Sequence, residues 1–319
     1  MESLSLSILG SSSAIPLSNR SPSAQFLGMA DEHFLIDCGE GTQVKLRQHH
    51  IGFSRLNHIL ISHLHGDHFY GLIPLISSLQ LLDRRQALNI YGPKGLKEAI
   101  SSFMEMTQAK VQYPLVFHEF NETKKALVYE SKQLEVFSFP LRHSVPCFGF
   151  LFQEKPRPRK MIASKIEDLS IPVAEIRRIK AGEDWLDQKG KVYKNSELTL
   201  DPAKEFSYAY CTDTLPVKHM HRYFKNVDLL YHEATFAETE RDRAEKTNHS
   251  TAKQAGEIAE ITKAKYLLLG HFSARYREFG NLLEEAKSIF PSSYEAREGF
   301  VFSLDRSRSE LKAKREKEL

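Results

Sequence analysis

The sequence predicts an α+β fold: two mixed β-sheets packed face to face, with helices on their outer faces. Three observations predict it. Leu4, Leu6 and Ile8 alternate with serines, as in a strand that buries one face. A succession of short apolar segments then runs to about residue 153. From Tyr208 onward strands alternate with helical patterns, which calls for sheets covered by helices.

In order, strands are expected at Leu4–Ile8, Gln25–Gly28 and Phe34–Asp37, then a helix from Thr42 to about His50. A buried strand follows at His58–Ser62. Apolar residues at helical spacing (Leu72, Leu75, Ile76, Leu79, Leu82) mark a helix over Phe69–Leu82. Asn89–Gly92 reads as a strand, and Gly92-Pro-Lys-Gly95 opens a helix through about Met106. Leu115–Phe120, Ala126–Glu130, Leu134–Pro140 and Phe148–Gln153 read as a run of antiparallel strands. Tyr208–Thr212, Leu229–His232, Tyr266–Leu269 and Phe300–Leu304 complete the strands, and the charged stretch Arg306–Leu319 is expected to be a frayed helix.

Composition narrows the class. Of 319 residues, 44 are Lys or Arg and 41 are Asp or Glu, a net charge of +3, with 41% hydrophobic and 27% charged residues. These values exclude wholesale disorder and fibrous repeats. The longest apolar stretches, Leu72–Leu82 and Tyr266–Gly270, fall well short of a membrane span, and the N-terminus lacks the basic start of a secretory signal. Cys38, Cys147 and Cys211 are odd in number and widely spaced, which argues against a disulfide framework and for a reducing cytoplasm.

The chain reads as one domain, residues 1–319, carrying one insertion. Residues 154–195 hold eleven basic and seven acidic residues, a local net charge of +4 that exceeds that of the whole chain. The segment contains Pro156, Pro158, a short helical piece around Val173–Lys180 and the sole Trp185. Two readings stand: a solvated surface insertion, or a basic arm that touches a polyanion. In the second reading Arg157, Arg159, Lys160, Arg177, Arg178 and Lys180 are the candidate substrate contacts.

The dominant chemical signal is Ile61-Ser-His-Leu-His-Gly-Asp-His68, at the end of a buried strand. His63 and His65, two apart, point the same way and can grip one ion. Gly66 permits a tight turn that swings Asp67 and His68 toward a second ion. Further donors follow other strands: His143 in Leu-Arg-His-Ser, Asp213 in Cys-Thr-Asp-Thr and His271 in Leu-Gly-His-Phe. A carboxylate such as Asp213 can bridge two cations with its two oxygens, which an imidazole cannot.

With these residues the sequence resembles the metallo-β-lactamase superfamily. Phe34-Leu-Ile-Asp-Cys-Gly-Glu-Gly-Thr-Gln43, Gly92-Pro-Lys-Gly95, His232-Glu-Ala-Thr235 and Asn248-His-Ser-Thr251 narrow the resemblance to its tRNase Z (ribonuclease Z) family, over about residues 4 to 304. In the N-terminal loop, Pro16-Leu-Ser-Asn-Arg-Ser21 keeps only the proline and arginine of the family's P-x-K-x-R-N. The resemblance implies a four-layer αβ/βα sandwich and a zinc-dependent endoribonuclease that removes the 3′ trailer of precursor tRNA. The tRNA would keep a 3′-hydroxyl and the trailer a 5′-phosphate. It implies two zinc ions per chain: His63, His65 and His143 on one, Asp67, His68 and His271 on the other, Asp213 between. Asp67 would serve as general base and His249 as donor to the leaving oxygen, held by Glu233. The basic insertion lies where the family carries its tRNA-binding arm, and a homodimer is implied, with no membrane partner.

Two other classes fit parts of the sequence. One is another hydrolase of the same fold, a small phosphodiesterase or arylsulfatase; a small substrate has no use for a cationic arm. The other is a non-catalytic RNA-binding subunit, against which stands the complete set of expected ligands.

Overall fold

The computed structural model describes residues 3–202, 204–306 and 310–315. Alternation at the N-terminus produces β1 (Ser3–Gly10), which turns Leu4, Leu6 and Ile8 to one face. Strands β2 (Ala24–Met29), β3 (Glu32–Ile36), β4 (His58–Leu60), β5 (Leu88–Pro93) and β6 (Leu115–Phe120) follow. Helices α1 (Thr42–Gln48), α2 (Gly66–Phe69), α3 (Leu72–Leu81) and α4 (Leu96–Met106) lie between them in sequence. Strands β7 (Ala126–Glu130), β8 (Leu134–Pro140) and β9 (Phe148–Glu154) begin the second sheet.

Within residues 154–205 are short strands β10 (Lys160–Met161), β11 (Trp185–Leu186), β12 (Val192–Tyr193) and β13 (Thr199–Leu200). Helices α5 (Ala163–Asp168), α6 (Val173–Lys180) and α7 (Asn195–Leu198) accompany them. The remaining elements are β14 (Ser207–Cys211), β15 (Leu229–Glu233), α8 (Arg241–Lys246), α9 (Ala252–Thr262) and β16 (Tyr266–Gly270). Last come α10 (Gly280–Lys287), β17 (Ser293–Glu295), β18 (Phe300–Asp305) and β19 (Leu311–Arg315).

Two sheets result, ordered β19-β18-β1-β2-β3-β4-β5-β6 and β17-β16-β15-β14-β9-β8-β7. Leu4, Leu6, Leu27 and Phe34 of the first interleave with Phe150, Phe152, Tyr208 and Leu268 of the second, forming the central core. On the outer face of the first sheet, Ile59 and Ile90 pack with Leu72, Leu75, Leu79, Leu96 and Ile100 of α3 and α4. On the outer face of the second, Ala209, Leu230, Leu267 and Leu269 pack with Ala255, Ile258 and Ala259 of α9. The layers run helix, sheet, sheet, helix.

Three expectations are corrected. Leu115–Phe120 does not open an antiparallel run; it pairs parallel with β5 in the first sheet, because α4 carries the chain across as a crossover helix. The helix expected over Phe69–Leu82 begins only at Leu72, as α3, and Phe69 instead closes the short preceding helix α2. Of the expected frayed helix at 306–319, residues 311–315 form β19, antiparallel to β18, with Lys312, Lys314 and Arg315 charging a sheet edge. Residues 307–309 and 316–319 lie outside the described residues.

Glu154–Glu205 is a compact unit of its own, with a core of Ile171, Ile179, Trp185 and Leu198. The other unit comprises Met1–Gln153 and Phe206–Leu319. In it, Gln153 and Ser207 face one another across β9 and β14.

Candidate metal centre

The strand ends deliver the donors. His63, His65, Asp67 and His68 stand between β4 and α3; His143 lies between β8 and β9, Asp213 follows β14 and His271 follows β16. His271 has φ 57°, a left-handed turn that redirects the chain straight after a buried strand. His63, His68, Asp213 and His271 are buried.

Three donor groups form among the described residues: two share Asp213, and the third joins Glu233 and His249 to His271. In one of the two that share Asp213, His65 Nδ1 lies 3.1 Å from both His63 Nε2 and His143 Nε2, and Asp213 Oδ2 is 3.7 Å from each of those Nε2 atoms. In the other, His68 Nε2 and His271 Nε2 are 3.3 Å apart. Asp213 Oδ1 lies 3.2 and 3.1 Å from them, and Asp67 Oδ2 3.5 Å from each. The two oxygens of Asp213 thus belong to different clusters.

The outer nitrogens are tied off. His68 Nδ1 lies 2.7 Å from Asp37 Oδ2, His63 Nδ1 3.0 Å from Ser62 Oγ, His143 Nδ1 3.1 Å from the Asn248 carbonyl and His271 Nδ1 2.9 Å from Thr235 Oγ1. That leaves each Nε2 turned inward, the arrangement of imidazoles oriented by outer partners.

The donor set fits a metal. A tetrahedral ion with bonds of about 2.0–2.1 Å has donor–donor edges of about 3.3 Å, close to the separations seen here. Neutral imidazoles whose lone pairs face each other at 3.1 Å repel unless a cation lies between them. The electrostatics agree. Burial pushes Asp213 up, but His271, His68 and His63 outweigh it and hold the carboxyl well below its ordinary range. Burial likewise opposes ionisation of Asp67, but the neighbouring His68 and His271 prevail and hold its carboxyl well below the ordinary range. His68 loses by burial and gains from Asp213, Asp67 and Asp37, ending well above its ordinary value. The carboxylates demand positive charge at that spot.

A second feature adjoins the centre. His249 Nδ1 lies 3.0 Å from Glu233 Oε1, and Glu233 also accepts from the Thr214 amide at 2.7 Å. His249 precedes α9, whose N-cap is Thr251, paired reciprocally with Gln254. The helix therefore starts past Ser250, whose hydroxyl instead donates to the Thr214 carbonyl.

Sequence reasoning assigned no role to Asp37, Asn248 or Ala14. Asp37 accepts from the Ser62 amide and hydroxyl, from Tyr210 Oη and from His68. Its signal was a lone carboxylate directly after the buried run Phe34-Leu-Ile36. Ala14, at φ 63°, donates its amide to Asp67 Oδ2 at 2.8 Å; no sequence signal announces that contact.

Three of the six candidate arm residues are paired with acidic neighbours. Arg157 meets Glu154 at 3.5 Å, Arg159 meets Asp201, and Arg178 meets Glu175 at 3.3 Å and Glu183 at 2.7 Å. Among the described residues, Lys160, Arg177 and Lys180 have no acidic partner.

Comparison with known proteins decides the family. The chain is 44% identical over 305 residues to Ribonuclease Z of Bacteroides thetaiotaomicron, covering 96% of each protein. The chain belongs to the ribonuclease Z family. It is 42% identical to Ribonuclease Z of Cytophaga hutchinsonii over 93% of this chain and 95% of that protein. The crystal structure of the short form of human tRNase Z is similar with a TM-score of 0.66 and 26% identity, covering 93% of this chain and 98% of that one. A long-form RNase Z from yeast shares the fold, with a TM-score of 0.68 and 17% identity over 96% of this chain and 42% of that one. The family model described as Anti-Pycsar protein Apyc1 matches residues 4–161. As a ribonuclease Z family member the chain is an endoribonuclease on the metallo-β-lactamase fold, and a metal is its cofactor.

Proposed function

We propose that this endoribonuclease removes the 3′ trailer from precursor tRNA, leaving a 3′-hydroxyl on the tRNA and a 5′-phosphate on the trailer. The observation that carries the reading is the pair of donor clusters sharing Asp213, with His249 and Glu233 beside them.

Two zinc ions would be held, one by His63, His65 and His143, the other by Asp67, His68 and His271, with Asp213 common to both. When bound they lower the pKa of water and polarise phosphoryl oxygens. Asp67 takes the proton of the attacking water, while the Ala14 amide fixes its Oδ2. The ribose 3′-oxygen leaves poorly unless it is protonated as the bond breaks. His249 supplies that proton from Nε2, since its Nδ1 is committed to Glu233. Burial lowers the imidazole pKa, but the Glu233 carboxylate more than offsets it and raises the value to about 9, so the donor form prevails at neutral pH.

The unit Glu154–Glu205 serves as the tRNA-gripping arm, and the chain works as a homodimer. The cytoplasm suits both substrate and chain. The three cysteines are buried and unpaired, and no helix among the described residues is long and apolar enough to cross a membrane. Incubating the protein with an unprocessed tRNA transcript and mapping both new ends tests the reading. A cut at the discriminator side with 3′-hydroxyl and 5′-phosphate ends is expected; no cut, or 2′,3′-cyclic phosphate ends, overturns it.

A further inference from the structure

We propose that Thr235 is a positioning residue that joins His271 to the Glu233–His249 pair through its hydroxyl, so that metal retention and proton donation share one hydrogen-bonded chain. The inference rests on the metal-centre reading above.

Sheet register places Thr235 there. β15 and β16 run parallel with Glu233 opposite Gly270, and the pairing continues past both strands, the Ala234 amide donating to the Gly270 carbonyl at 2.8 Å and the Ser273 amide to the Thr235 carbonyl at 3.2 Å. Thr235 is 1% exposed. Its Oγ1 lies 2.5 Å from Glu233 Oε2, 2.9 Å from His271 Nδ1 and 3.0 Å from the His271 carbonyl.

A hydroxyl has one proton to give and lone pairs to accept with. The ionised carboxylate is the stronger acceptor, so the Thr235 proton goes to Glu233 Oε2. The hydroxyl oxygen can then only accept from His271, which places the His271 proton on Nδ1. Nε2 is left unprotonated, facing Asp213 Oδ1 at 3.1 Å and His68 Nε2 at 3.3 Å. Across the carboxylate, Glu233 Oε1 accepts from His249 Nδ1 at 3.0 Å. The chain reads His271 Nδ1–H to Thr235 Oγ1–H to Glu233, with His249 Nδ1–H on its far side. No other side chain contacts both His271 Nδ1 and Glu233 among the described hydrogen bonds. Valine matches threonine in shape and can neither accept nor donate; serine keeps the hydroxyl.

The test uses the full-length, zinc-loaded protein. Chelator competition compares wild type, Thr235→Val, Thr235→Ser and His271→Ala. Expected is an affinity loss of about 10–100-fold at one of two zinc equivalents in Thr235→Val, the usual effect of removing an outer partner of a metal-binding histidine, with Thr235→Ser near wild type. Precursor-tRNA turnover should fall in Thr235→Val as a lower kcat at unchanged KM. Wild-type zinc affinity in Thr235→Val overturns the inference, as does a loss that Thr235→Ser does not rescue. If His271→Ala also binds both zincs like wild type, the ligand set itself is wrong and the inference falls with it. Proton NMR covers the case in which Thr235→Val does not fold: the wild-type protein should show a protected imidazole N–H resonance that vanishes in His271→Ala, and its absence from wild type overturns the role of Thr235.

Discussion

His249 and Glu233 form a buried pair, Nδ1 to Oε1 3.0 Å, with the histidine side chain 13% exposed and the glutamate fully buried. Glu233 ends β15 and is itself fixed by the Thr214 amide, so the carboxylate cannot follow the imidazole if it moves. The histidine amide donates to the Ala244 carbonyl at 2.8 Å, anchoring its loop to α8. Partners on both sides hold the ring beside the donor clusters, its centroid 5.3 Å from that of His143 and 5.4 Å from that of His271.

The pair predicts a pH signature. Burial works against the charged imidazole and Glu233 works for it more strongly, giving a pKa of about 9. The donor form is present below that value and is lost as pH rises through it, so cleavage should show an alkaline limb. Glu233→Gln removes the negative charge and must lower the histidine pKa. Its limb should move to lower pH, and cleavage at neutral pH should fall by about 10²-fold or more. A limb that stays in place would remove Glu233 from this role.

Asp67→Ala should abolish cleavage, by about 10³-fold or more, because it removes a proposed ligand and the proposed base together. Affinity for precursor tRNA should stay within a few-fold of wild type, since the cationic surface is untouched. Filter binding beside single-turnover cleavage reads both. Near wild-type turnover is the damaging outcome.

Metal removal should destabilise as well as inactivate. Stripped of cations, His65 holds its Nδ1 only 3.1 Å from the Nε2 atoms of both His63 and His143. A metal held at a hundredfold its Kd contributes about 2.7 kcal/mol of stability by mass action. For a domain of this size that corresponds to a fall in Tm of about 5–10 °C on exhaustive chelation, recovered by adding zinc. Thermal unfolding with and without chelator measures it.

Which residues would converge was legible in the sequence because each follows a short apolar strand, and ends of strands from the two packed sheets meet at one site. His63, His65, Asp67 and His68 needed only local spacing; His143, Asp213 and His271 needed the strands that precede them to be recognised as well. What stayed hidden depends on registers between elements distant in sequence. The Thr235 contact to His271 comes from parallel pairing of β15 with β16, and the Asp37 contact to Tyr210 crosses the two sheets. Strand direction was hidden too: β6 carries the same alternation whether it pairs parallel or antiparallel. The segment 311–315 reads as charged surface because only Leu311 of this edge strand is even half-buried, so no alternation marks it.

The charge balance of the arm depends on where it ends, and this yields a prediction. Carried to Glu205, the compact unit holds twelve basic and ten acidic residues, a net charge of +2. Several of its arginines are already paired internally. Lys160, Arg177 and Lys180 should therefore matter most for tRNA. Replacing all three with alanine should reduce the salt slope of tRNA binding by about 2–3, near 0.9 for each phosphate that is no longer neutralised. Arg178→Ala, whose guanidinium is held by Glu175 and Glu183, should change the slope by less than the share of a single phosphate.

The separability of that unit supports the last prediction. Gln153 and Ser207 are direct partners across β9 and β14, so the chain leaves and re-enters the sheet at adjacent positions. Excising Glu154–Glu205 and joining the ends through a two-residue turn should convert the crossover into an ordinary hairpin. All seven proposed ligands, with Glu233 and His249, lie outside the excised span. Zinc content and hydrolysis of bis(p-nitrophenyl) phosphate should both survive. Cleavage of precursor tRNA should collapse through weaker binding, and the remaining affinity should depend less steeply on salt, because fewer phosphates are neutralised. A solvated insertion without a partner predicts unchanged tRNA cleavage at an unchanged slope. Loss of the small-substrate activity along with tRNA cleavage would instead make the unit a support for the fold or the dimer, which sedimentation of the excised protein distinguishes. Only retention of the one activity with loss of the other assigns Glu154–Glu205 to tRNA.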